Sequence, residues 1–155
     1  MKEFLSKMAK QGKLKLVFKS DNVSKSYLEK SKSNFESSRI LLRNDKLEEA
    51  VSFVYYSMYN LVMALFYKVG IKSENHASSI FLLKEVFGFD NNLIKEAKTE
   101  RIDKQYYVGF KVSKKEVEES LKIAEEFNRE LKGFISGLGN KEILNYRNKF
   151  EEMLK

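Results

Sequence analysis

The stretch Ala50-Val-Ser-Phe-Val-Tyr-Tyr-Ser-Met-Tyr-Asn-Leu-Val-Met-Ala-Leu-Phe-Tyr67 decides the fold. It carries no formal charge, although Lys and Glu crowd the chain on both sides. Coiled as a helix it is apolar or aromatic on nearly every side, so other helices, or in part a second copy of the chain, must surround it. It is long enough to raise the question of a membrane span. Against that stand Tyr55, Tyr56, Ser57, Tyr59 and Asn60, a polar cluster in mid-span, and the lack of a second such stretch. The expectation is the buried central helix of a soluble, cytoplasmic bundle with no membrane partner.

The rest of the composition agrees with a helical protein. With 155 residues the chain suits one domain with a sizeable core. There is no proline and there are only 7 glycines, so helices can run long between short loops. The absence of cysteine excludes disulfides and thiolate metal sites and fits a reducing compartment. The opening Met1-Lys-Glu-Phe-Leu-Ser-Lys7 is too polar for a secretory signal. The net charge of +7 permits attraction to RNA, DNA or acidic proteins but is also ordinary for a soluble protein.

Outward from the central helix, residues 1–22 read as a basic arm. A short amphipathic helix is followed by a strip in which Leu14, Leu16 and Phe18 alternate with Lys13, Lys15 and Lys19. That is a strand-like period, but no partner strand is evident, so the arm is expected to lay its apolar residues on the bundle. A first long helix is expected over about 24–43, with Ser26 and Glu29 as a capping box and Leu28, Phe35 and Leu42 as its buried stripe. Asp45 with Glu48 is expected to cap the central helix, and Gly70 to end it in a left-handed conformation. A third helix, capped by Ser73 or Asn75, carries His76, Ile80, Leu83 and Phe87 on one face. A histidine at the head of an apolar face reads first as a core histidine bonded to a neighbour, and second as a catalytic group. A fourth helix from about residue 91 or 92 puts Arg101 on the side of Ile94 and Ala97, where a guanidinium needs an acidic partner or a bound anion. Ser113 and Glu116 form a capping box for a fifth helix that buries Val117, Leu121, Ala124, Phe127 and Leu131, its end loosened by Gly133, Gly137 and Gly139. A last helix over 140–155 offers Ile143, Leu144, Phe150 and Met153.

The division expected is therefore arm 1–22, bundle 23–137 and a C-terminal helix 138–155 packed on it, in an all-α antiparallel bundle of five to seven helices. No phosphate loop, dinucleotide fingerprint, zinc motif or triad signature occurs. The carboxylate pairs Glu48-Glu49, Glu118-Glu119 and Glu125-Glu126 fall on solvated faces. With one histidine and no cysteine, neither a metal nor a cofactor is expected.

The Ala50–Phe66 run, then Gly70, then Asn75-His76-Ala77-Ser78, resembles the HEPN family (higher eukaryotes and prokaryotes nucleotide-binding domain) in its common prokaryotic branch. That branch carries a small-x-x-x-Tyr-Tyr-Ala-Met-Phe-His-like central helix. Arg101-Ile-Asp-Lys-Gln-Tyr106 is similar to its Arg-x-x-x-x-Tyr turn, and residues 112–127 to its closing helix. The resemblance covers about residues 27–131. It implies a homodimeric bundle, a nucleotide- or RNA-binding role, and a minimal nucleotidyltransferase as partner, often as a toxin–antitoxin pair. The candidate binding residues are Arg101, Tyr106, Tyr107, His76 and Tyr56, of which His76 does not match the family's ribonuclease motif. Several branches are metal-independent ribonucleases that set an Arg four to six residues before a His. Here Tyr106 stands in place of that His, and Asn60 where the branch often has His. A tyrosine of ordinary pKa near 10 is a poor base at neutral pH. The expectation is a binding protein with a degenerate ribonuclease motif. The alternatives are an endoribonuclease using Arg101, Tyr106 and His76, and a structural interaction subunit.

Overall fold

The computed structural model describes the backbone of residues 1–106 and 111–155 and the side chains of residues 1–102 and 111–155. Seven helices and one two-stranded sheet occur among the described residues. At the centre is α3 (Leu47–Val69); α1 (Lys2–Lys10), β1 (Leu14–Leu16) and α2 (Asp21–Arg43) precede it. After it come β2 (Ile71–Ser73), α4 (His76–Glu85), α5 (Asn92–Tyr106), α6 (Lys114–Ser136) and α7 (Asn140–Met153). The fold is the all-α bundle expected from the sequence.

α3 packs against α2, α4, α5, α6 and α7. It is long and apolar enough to cross a membrane, yet 83% of its apolar window is buried inside the protein. Its hydrophobic surface is therefore covered by the other helices. Gly70 ends it at φ 89° and ψ 44°, as expected for a left-handed cap. Its start differs: Asp45 takes a positive φ of 56° in the turn, and Lys46 holds the cap position with no side-chain bond. The turn, not an Asp45–Glu48 box, sets where α3 begins.

α2 starts earlier than expected, because Ser20 Oγ accepts the amide of Val23 at 3.1 Å. Ser26 lies inside the helix, donating to Asn22 O. The most buried stripe of α2 is also different. Leu28, Phe35 and Leu42 are only partly covered, whereas Ser24, Ser31 and Ser38 are buried. Ser24 Oγ donates to Ala64 O at 2.7 Å and Ser31 Oγ to Ser57 O at 2.5 Å. Rising numbers on α2 meet falling numbers on α3, so the two helices are antiparallel. Small side chains at heptad spacing let their backbones approach closely.

The strip Leu14–Leu16 does have a partner. It pairs antiparallel with β2, Leu14 opposite Ser73 and Leu16 opposite Ile71. The pairing continues through Val17 N to Gly70 O at 2.9 Å and Ser20 N to Tyr67 O at 2.9 Å. Leu14 is buried, but Phe18 is 96% exposed, because the chain leaves the strand before reaching it. α6 begins at the expected capping box, with Ser113 Oγ accepting from Glu116 N at 3.1 Å, and it runs on through Gly133. In α7, Ile143 and Phe150 are buried while Leu144 is 57% exposed.

Candidate functional site

Two adjacent residues of α3 reach the head of α4 and the C-terminal half of α5. Tyr55 faces α4 and Tyr56 faces α5. The Asn75 side chain caps α4 by accepting Ser78 N at 3.0 Å, which fixes His76 as the first helical residue. There the His76 ring stacks on Tyr59, with centroids 3.8 Å apart and planes 14° from parallel. Its Nδ1 lies 2.7 Å from the Tyr55 hydroxyl. Arg101 comes from the inward side of α5. Its NH1 donates to the Tyr56 hydroxyl at 3.1 Å, and its guanidinium carbon sits 5.4 and 5.5 Å from the Tyr55 and Tyr56 ring centres.

The direction of the Tyr55–His76 bond follows from burial. Tyr55 is fully buried, and among the described residues its hydroxyl has one hydrogen-bond partner, His76 Nδ1. A buried hydroxyl hydrogen must find an acceptor. Burial also pushes the Tyr55 pKa up, so the phenol keeps its proton. Tyr55 therefore donates, Nδ1 accepts, and the neutral ring carries its hydrogen on Nε2. Burial pulls the His76 pKa below its ordinary value, and the positive charges of Arg101 and Lys98 pull it further. In its resting state His76 is a neutral hydrogen-bond donor at Nε2, with its basic nitrogen already engaged.

Beside this cluster lies an open groove of about 720 Å³. Tyr56, Tyr59 and His76 form one wall, and Tyr27, Tyr67 and Lys30 contribute to the other. Tyr27 and Tyr67 stack at 5.4 Å with planes 7° apart. Flat aromatic faces with a lysine at the edge suit bases and phosphates. Among the described residues no three His, Cys, Asp or Glu side chains come together in a set that could hold a metal ion.

Of the residues singled out in the sequence, the structure brings Arg101, Tyr56 and His76 together. Tyr107 and the side chain of Tyr106 lie outside the described residues. Tyr55 and Tyr59 lie outside the set of site residues expected from the sequence, yet they hold the histidine. Their signal was available: at i and i+4 they share one face of α3.

An all-α bundle whose central tyrosine helix gathers an arginine and a histidine defines a class. A family model described as the HEPN domain matches residues 24–134. The chain belongs to the HEPN family. A search of the curated proteins finds no match.

Proposed function

We propose that this chain is a nucleotide- or RNA-binding HEPN protein of the cytoplasm that works as a homodimer with a minimal nucleotidyltransferase partner, as one half of a toxin–antitoxin pair. Dimer and partner rest on the family alone. The binding role rests on one observation in particular: the Tyr55 hydroxyl occupies the only basic nitrogen of the neutral His76 ring. A general base needs a free lone pair within reach of the proton it removes. His76 instead offers an N–H, beside the Arg101 guanidinium and aromatic walls. That set favours holding an anion and a base over abstracting a proton.

The test is binding of fluorescent single-stranded RNA and of ATP to the wild type, Arg101→Lys and Arg101→Ala. Arg101→Ala is expected to weaken binding by about tenfold or more, as loss of a charge-assisted bond does. Arg101→Lys keeps the charge but not the planar fork, so it should recover only part. Equal binding by all three proteins, or none by any, removes Arg101 from the site.

The convergence of His76 and Arg101 on neighbouring tyrosines supports a second reading, a metal-independent endoribonuclease. It requires the ring to exchange tautomers and Tyr55 to reverse its bond. Cleavage of structured RNA in EDTA, lost in His76→Gln, would favour it over the binding reading.

A further inference from the structure

α5 and α6 both pack on α3, and an open groove of about 460 Å³ lies between them, lined at its base by Val51, Val54 and Met58 of α3. It shares no lining residue with the tyrosine groove. Its walls follow from helical spacing. Leu93, Glu96, Ala97 and Glu100 recur at i, i+3, i+4 and i+7 and so form one face of α5. Glu116, Glu119, Ser120 and Ile123 recur in the same way on α6. Ala97 and Ser120, midway along the two faces, carry small side chains that leave the space between the helices unfilled. Apolar surface stays open there: Ile123 is 37% exposed, and Leu93 and Ala97 are only partly covered.

The charge around this groove is opposite to that of the molecule. The chain carries +7, yet among the described residues the groove is lined by four glutamates against one lysine, Lys95. Glu116 is spent on the start of α6, where it accepts the Ser113 amide. No ion pair among the described residues engages Glu96, Glu100 or Glu119. Like charges gathered at one rim raise one another's energy, and a cationic neighbour relieves that.

We propose that the α5–α6 groove is a docking surface for an amphipathic helix of a partner protein, which sets aliphatic side chains into the groove and Lys or Arg against Glu96, Glu100 and Glu119. The dimensions suit this occupant. From Leu93 to Glu100 a wall runs about 10 Å, two turns of a facing helix. Apolar side chains at i, i+3 or i+4, and i+7 of the partner fit along it. The groove takes a few side chains and not a whole helix, so the partner lies over it with its polar face in solvent. Apolar contact supplies the affinity, and the carboxylates select the sign of the partner's flanking charge. The surface stands apart from Arg101 and from the nucleotide-binding reading above.

Fluorescence anisotropy of the full chain with two labelled synthetic peptides tests this. Each peptide has about 15 residues, enough for partial helix formation, with Leu at alternating spacings of three and four. The other positions are Ala and Lys in one peptide and Ala and Glu in its counterpart. At long range the +7 charge of the chain attracts the Glu peptide and repels the Lys peptide. A preference for the Lys peptide therefore reports the carboxylates of the groove. The wild type is expected to bind the Lys peptide at least about tenfold more tightly than the Glu peptide. Ile123→Ser, at a partly exposed position, should weaken binding of the Lys peptide about fivefold. Glu96→Gln with Glu119→Gln, both at exposed positions, should erase the preference between the peptides. The proposal is overturned if the wild type binds neither peptide or prefers the Glu peptide, or if these variants bind the Lys peptide like the wild type. Sedimentation tests the other occupant: a wild-type dimer that Ile123→Ser disperses gives the groove to a second copy and overturns the proposal as well.

Discussion

His76 has to stay neutral because three things oppose a charge on its ring: partial burial first, then Arg101, then Lys98. The folded-state pKa is lowered from an ordinary value of 6.5. Between the two values the unfolded chain binds more protons than the folded one, so stability rises with pH across that window. The protein is therefore expected to hold full stability above about pH 7, and to lose part of it as pH falls through the unfolded value of about 6.5 to the lower folded one. Urea denaturation of the wild type and His76→Gln from pH 8 to pH 5 measures this, and the variant should show a flatter profile between those limits. A wild-type curve no steeper than the variant's would contradict the neutral assignment. Nitrogen chemical shifts of the ring should also place the hydrogen on Nε2. The sequence made His76 legible as a core histidine bonded to a neighbour, because it heads the apolar face of Ile80, Leu83 and Phe87. It did not reveal which tyrosine holds it. Tyr55 and Tyr56 are adjacent in sequence and both aromatic. Successive residues point about 100° apart around a helix, and the places of α4 and α5 around α3 give the Tyr55 hydroxyl to the histidine and the Tyr56 hydroxyl to the arginine, whose guanidinium lies near both rings.

At the scale of elements, the end of α3 is a junction held by three segments of the chain. Arg147 of α7 donates through NH1 to Val17 O at 2.8 Å, Val69 O at 2.9 Å and Gly70 O at 3.1 Å. It thus sets a cation at the C-terminal end of the helix and gives a donor to the Val69 carbonyl, while Gly70 O also accepts from Val17 N. Gly70 leaves the room for it: a Cβ there would collide with the Arg147 guanidinium and the Val17 carbonyl, in a backbone conformation that L residues avoid. Gly70→Ala is expected to cost at least about 2 kcal/mol, from left-handed strain plus the collision. Arg147→Met should cost about 1.5–3 kcal/mol, the range for bonds to a charged group. Because the two occupy the same space, the Gly70→Ala cost should shrink in the Arg147→Met background, and a double-mutant cycle by urea denaturation reads the coupling. Additive costs would show that the contact carries no energy. Gly70 was readable from sequence as a helix stop. Arg147 was not, since one arginine in a charged amphipathic helix has no pattern to set it apart. The same limit hid the β1–β2 pair and the serine stripe of α2. A three-residue strand has almost no period, and its partner sits in what reads as a loop. Serines at heptad spacing give no hydrophobic signal, so Leu28, Phe35 and Leu42 carry the legible stripe although the closer helix approach uses the smaller side chains.

For the whole molecule, the family-matched region and the core have different boundaries. The match covers residues 24–134. Leu5, Met8 and Leu14 before it, and Ile143 and Phe150 after it, belong to the same hydrophobic cluster as α3. Fully burying a side chain of this kind contributes about 1.5–3 kcal/mol, so the five together contribute about 7–15 kcal/mol of gross burial. A domain's net stability is only about 5–15 kcal/mol. Removing the flanking segments also removes the entropy cost of ordering them, which offsets part of that loss. It does not offset the apolar surface they uncover on α3 and β2, nor the carbonyls that Arg147 serves. A chain trimmed to residues 24–137 is therefore expected to melt broadly, without the single cooperative transition of the full chain, when followed by calorimetry. A chain ending after Leu138 keeps α1 and β1 and should fall between the two, with a sharp but lower transition. If the trimmed chain melts like the full one, the flanking helices are attachments on a self-sufficient bundle, and the central helix needs less cover than its uncharged sequence implies.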